Sequence, residues 1–133
     1  MPCPLFEPRE KVIAASESVF RFPLIFEFTG VCHAGAAPES FRYCNHGNAK
    51  ANCSVFPPAE PVSAIRFDVR AQTPQALTVL VLEEQDHWPR AWNEIEFLIA
   101  TERLSPDISD TCRRSQFIHF CRSYLEKFHS HDN

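Results

Sequence analysis

Four cysteines, Cys3, Cys32, Cys44 and Cys53, fall in the first sixty residues of a 133-residue chain with six cysteines in all. Pro4 follows Cys3, Gly30 and Gly35 flank Cys32, and Gly47 follows Cys44. Such neighbours let a backbone turn around an ion and bring N–H groups up to sulfur. Four thiolates satisfy either a closed zinc site or an iron–sulfur cluster. The paired Cys-x-x-Cys knuckle common in zinc sites is missing. The dispersed spacing, the Cys3–Pro4 step and the apolar run "CSVFPP" suit a cluster of the 4Fe–4S type better. In that reading Gly47 gives close approach to the cluster and Phe56 shields it from water. The competing account is that each thiol is a small buried hydrophobe.

The segment "FRYCNHGNAKANCSVFPP", residues 41–58, also holds His46, and His33 adjoins Cys32. The pairs Cys32–His33 and Cys44–His46 invite comparison with mixed Cys/His iron sites, but their spacing differs from that pattern. His33 and His46 are therefore read as loop histidines or donors to the ligands, with direct ligation the lesser alternative.

The remaining thiols carry other chemistry. Cys112 precedes the apolar stripe of the last helix, where a helix N-terminus would favour a reactive thiolate. Cys121 lies within that stripe and reads as core. No oriented Cys–His–Asn set, P-loop or dinucleotide fingerprint is present. A thiol-dependent enzyme using Cys112 or Cys44 thus stands behind two non-enzymatic readings. One is an iron–sulfur electron-transfer protein or accessory subunit with a protein partner. The other is an adaptor or binding module with structural zinc. "EEQDHWP" gathers Glu83, Glu84, Asp86 and His87, which reads as a solvated hairpin end. Trp88 and Trp92 flank it and are expected to cap the core.

Certain residues also resemble a known pattern: Cys32, Tyr43, Cys44, Asn45, Gly47, Ala49, Cys53, Phe56 and Pro57, followed by the strand "AIRFDV". This is similar to a group of small uncharacterised bacterial proteins. They carry a Cys, a YCN-x-G-Y-A segment, a Cys-x-x-Phe-Pro and a strand like "AVRFSV". The similarity covers residues 32 to about 99, with "CPLFEP" and the final helix in addition. The chain departs at Asn48, where the group has Tyr, and at Ala51, where it has Gly. The resemblance implies a shared cysteine site and no particular activity.

The elements that must position these residues divide the chain. One domain over residues 1–133 is expected, with a loop-rich, cysteine-rich region to residue 60 and regular structure from 61 onward. All three glycines and most of the prolines lie in the first region. "SVFRFPLIFEF" there offers a short strand broken at Pro23. Beyond it, "AIRFDVRA" alternates Ile65, Phe67 and Val69 against Arg66, Asp68 and Arg70. "ALTVLVLEE" is a strand buried on both faces at its centre, and "WNEIEFLIA" alternates again. Three strands with short links predict an antiparallel meander. Ser105, Asp107, Ser109 and Asp110 offer caps for a helix whose stripe is Phe117, Phe120, Cys121, Tyr124, Leu125 and Phe128. The fold class is α+β, with that amphipathic C-terminal helix on one face of the sheet.

Net charge is −4 with acids and bases interleaved, so no basic surface invites nucleic acid. No apolar run is long enough to span a membrane. The N-terminus lacks a basic stretch followed by an apolar one, which leads to the expectation of a cytoplasmic protein. In that compartment cysteines are metal ligands or core thiols before they are disulfides.

Overall fold

The computed structural model describes residues 3–11, 28–33, 56–57, 59–86 and 88–129. Cys44, His46, Gly47, Cys53, His87 and most of the 18–28 run lie outside the described residues. The alternating segments form an antiparallel meander: β3 (Ala64–Gln72), β4 (Ala76–Gln85), β5 (Trp88–Leu98) and β6 (Arg103–Ser105), hydrogen-bonded in chain order. The β3–β4 turn falls at Thr73–Gln75, as the sequence suggests. The Thr73 hydroxyl accepts from the backbone N–H of Ala76 at 3.1 Å, and the Thr73 N–H bonds the Ala76 carbonyl at 2.9 Å. The short β6, which periodicity alone does not predict, pairs Leu104 with Phe97.

The inner face of this sheet follows from the register. Ile65, Phe67 and Val69 oppose Glu83, Val81 and Val79, and Leu77 and Val79 oppose Phe97 and Ile95. Leu77 and Val79 are fully buried, whereas Leu80 and Leu82 on the outer face are half-buried. The β4 strand is therefore less symmetrically buried than its apolar composition predicts. Trp88 and Trp92 remain 76% and 62% exposed, so neither caps the core. The expected hairpin-end cluster is also dispersed. Glu83 and Glu84 lie within β4; Glu84 is buried, and Glu83 pairs with Arg113 at 2.6 Å.

The loop-rich region contains a two-stranded antiparallel ribbon, β1 (Phe6–Lys11) and β2 (Phe28–Cys32). Cys32 is thus the last residue of a strand and not a loop residue. Gly30, expected to serve a turn, sits mid-strand opposite Pro8. A Cβ there would stand 2.0 Å from the Glu7 carbonyl oxygen and 2.9 Å from Pro8 Cα. Both are backbone atoms, so the contact cannot be relieved by a side-chain rotation.

Helix α1 (Thr111–His129) is capped by Asp110, whose carboxylate accepts from the Arg113 N–H at 3.0 Å. Phe117 and Phe120 lie against Phe67, with ring centroids 6.1 and 5.0 Å away, and Phe117 also meets Phe97 at 6.3 Å. Full burial of a side chain such as Phe117 contributes roughly 1.5–3 kcal/mol. The helix does more than cover one sheet. A second flank, with Ser115, Gln116 and His119, meets the ribbon: Ser115 Oγ donates to the Pro8 carbonyl at 2.8 Å. The His119 ring packs on Phe28 at 4.9 Å. One apolar cluster consequently draws on the ribbon, the meander and the helix together.

Replacing Gly30 with Ala should force the two ribbon strands apart. We expect a loss of about 2 kcal/mol or more in urea unfolding, the scale of a backbone clash in a packed region. An unchanged midpoint would contradict the close approach.

Candidate metal centre

Cys3 and Cys32 arrive at the same end of the ribbon by different routes. Cys32 is the ladder partner of Phe6, and the pairing is extended by the His33 N–H, which bonds the Leu5 carbonyl at 2.9 Å. The chain then turns back at Cys3, whose carbonyl accepts from the Phe6 N–H at 3.1 Å. Gln116 on α1 secures this turn. Its Nε2 donates to the carbonyls of Cys3 and Phe6, both at 2.6 Å. Gln116 is fully buried, and among the described residues its Oε1 has no hydrogen-bond partner. Cys3 is buried within the apolar cluster, while Cys32 is half-exposed.

His33 is exposed and its Nε2 lies 2.9 Å from Glu7 Oε1. Arg9 Nε donates to the other Glu7 oxygen at 3.0 Å. The His33 bond first, then that of Arg9, holds the Glu7 carboxyl below its ordinary range. The imidazole beside Cys32 is thus occupied by a carboxylate. Phe56 is partly buried and packs against the apolar cluster.

By sequence Cys112 is a structural or incidental thiol that a helix N-terminus could make reactive. It is only 5% exposed and occupies the first turn of α1, one turn before Gln116. Burial pushes its pKa up to about 12, reinforced by the negative groups of Asp110, Glu7 and Cys32 and opposed only by Arg113. The reactive thiolate expected of a helix N-terminus is therefore absent: desolvation and acidic neighbours outweigh the helix dipole. Cys121 is fully buried in the apolar cluster, as expected, and burial raises its pKa too.

Two contributors to this end of the molecule escaped the sequence reading, Gln116 and the flank of α1 that carries it. The available signal was the spacing of Cys112, Gln116 and His119, which share a helix face. Polar types at those positions look like a solvated surface.

Cys32, Cys112 and Cys121 are free thiols. Among the described residues, no group of three or more His, Cys, Asp or Glu side chains is placed to hold a metal ion. Cys44 and Cys53 lie outside those residues, as do His46 and Gly47. None of the described helices is long and apolar enough to cross a membrane. No family model, curated protein or solved structure matches the chain.

Two measurements check these environments. Alkylation of metal-free folded protein at neutral pH should modify Cys32 well before Cys112 or Cys121; early modification of Cys112 would contradict its raised pKa. Burial lowers the pKa of His119, with Arg122 adding to the effect, against a bond to the Pro8 carbonyl and the charge of Glu102. The unfolded chain therefore binds this proton more readily. Stability should be full above the ordinary histidine value of 6.5 and decline as pH falls below it. A His119→Gln variant should lack that decline in pH-dependent urea unfolding.

Proposed function

We propose that the protein is a small metal-binding protein. Its centre takes thiolates from Cys3, Cys32, Cys44 and Cys53 and holds an iron–sulfur cluster, with 4Fe–4S favoured. Its role is electron transfer, or that of an accessory subunit to a protein partner. The observation that most supports this reading is the placement of Cys3 and Cys32 at the same end of the β1–β2 ribbon. Residues distant in sequence reach that end through a ladder pair and a buried glutamine. A thiolate centre needs such convergence, and an isolated core thiol does not. The half-exposure of Cys32 suits an electron-transfer site, where access sets both potential and partner contact.

The burial of Cys3 favours one other reading, an adaptor with structural zinc, because structural zinc sites are closed to solvent. His33 and His46 are then supporting groups, and neither reading requires catalysis. The resemblance to the bacterial cysteine-motif proteins agrees with either.

Anaerobic purification followed by metal and sulfide analysis tests the proposal. A brown protein absorbing near ~400 nm, with iron and acid-labile sulfide, is the expected result. One zinc per chain, with no colour and unfolding by chelator, would select the adaptor reading. A folded protein with neither metal would refute both.

A further inference from the structure

An antiparallel sheet with one face in water alternates apolar residues inside with polar residues outside. Strand β3 keeps that rule. Ile65, Phe67 and Val69 turn to the core, and Arg66, Asp68 and Arg70 are exposed. Strand β4, which lies between β3 and β5, does not keep it. Leu77 and Val79 are fully buried on the inner face, yet Leu80 and Leu82 stand on the outer one. Register puts Trp92 of β5 directly beside Leu82, and that indole is largely exposed. Helix α1 packs on the opposite face, through Phe67 and Phe97.

Charge on the outer face is sorted by strand. Leu82 lies between Arg66 and Trp92, Leu80 lies between Asp68 and Glu94, and Glu96 is the ladder partner of Thr78. Arg70 shares this face, because it bonds Asp68 at 3.3 Å. The β3 side thus carries arginines about one aspartate, and the β5 side carries glutamates beside an indole. Two identical sheets that pack face to face in a closed pair are related by a two-fold axis. An axis across the strands would lay β5 on β5 and set glutamate against glutamate. An axis along β4 lays β3 of one copy over β5 of the other, and β4 over itself. Leu80 and Leu82 then meet their own copies. Arg66 faces Trp92, a cation–π geometry, and Arg70 faces Glu96. Asp68 faces Glu94 with an arginine on either side of it.

We propose that the outer face of the meander is the interface of a symmetric dimer, and that its occupant is a second copy of this chain. The arrangement has the anatomy of a specific interface: an apolar centre of Leu80, Leu82 and Trp92 within a charged rim. It also accounts for the apolar composition of β4 on both faces, since one face serves the core and the other the partner. The charges select the axis along β4 over the axis across the strands. Specific interfaces begin at about 1,200 Å² of total buried surface, and a face of three strands stands near that bound. The dimer is therefore reversible, and salt weakens it by screening the rim. Neither the ribbon nor any cysteine takes part, so the inference is independent of the metal reading.

Sedimentation velocity of the full chain over a wide concentration range tests the proposal, with chelator present so that no metal bridges two copies. Wild-type protein should show a reversible monomer–dimer equilibrium. Trp92→Ala should weaken association by about tenfold or more, the scale of an aromatic anchor at the centre of an interface. Arg70→Glu should weaken it by about fivefold or more by setting like charges together. Adding Glu96→Arg to Arg70→Glu should restore it to within about threefold of wild type, because the swap recreates the pair across the axis. Circular dichroism checks that each variant is folded. A chain that stays monomeric at every concentration leaves the face to some other partner and overturns the inference. A dimer unmoved by both single substitutions overturns it too, and a loss that the double variant does not recover refutes the axis. Should a variant not fold, isotope-filtered NOE spectra of mixed labelled and unlabelled wild-type chains decide the matter. Leu80 and Leu82 methyls of one copy should reach those of the other; a dimer without such contacts would refute the interface.

Discussion

The buried amide of Gln116 holds the two halves of the described structure in register. Its two bonds to the Cys3 and Phe6 carbonyls, both 2.6 Å, fix the start of β1 against α1. Each bond contributes only about 1 kcal/mol net, yet losing a donor inside a buried seam costs more than that, even though the Cys3 carbonyl would keep the Phe6 N–H. The placement is also directional in a way that apolar packing is not. Phe117 and Phe120 bind α1 to the meander by area, whereas Gln116 sets which point of the ribbon meets which turn of the helix. The positions of Cys3, Cys32 and Cys112 follow from that choice.

Two kinds of surface therefore meet on one helix. The flank facing the meander is aromatic: Phe117 and Phe120 both meet Phe67, and Phe117 also meets Phe97. The flank facing the ribbon is polar, with Gln116 and Cys112 buried and Ser115 and His119 half-buried. Ion pairs at the margins add orientation more than stability. Arg122 grips Glu102 through two bonds of 2.6 Å, and Arg113 reaches Glu83. Exposed pairs of this kind are worth about 1 kcal/mol or less.

The meander was legible because its signal is local. Alternation of Ile65, Phe67 and Val69, and of Ile95 and Phe97, requires no knowledge of the rest of the chain. The helix was legible for the same reason, through its aromatic stripe and the Asp110 cap. The ribbon was not. Phe6–Lys11 contains Pro8 and four charged residues, and Phe28–Cys32 contains Gly30, so neither looks like a strand. Their pairing is stabilised by a close backbone approach at Gly30 and by contacts from a helix more than eighty residues away in sequence. Trp88 and Trp92 misled in the opposite direction: large aromatic types suggested core, but strand register turned them to solvent. The burial of Cys112 and the buried bonds of Gln116 to the ribbon could be recognised only once the ribbon and α1 were seen side by side.

The account rests on sulfur bonded to a metal. X-ray absorption at the metal edge of freshly prepared protein measures this directly, whatever the metal. The account predicts a first shell dominated by sulfur at about 2.3 Å, with four thiolates for zinc, or with sulfide and cysteine sulfur together and a neighbouring iron shell for a cluster. A first shell of nitrogen and oxygen alone, or protein that is folded and metal-free, would contradict it.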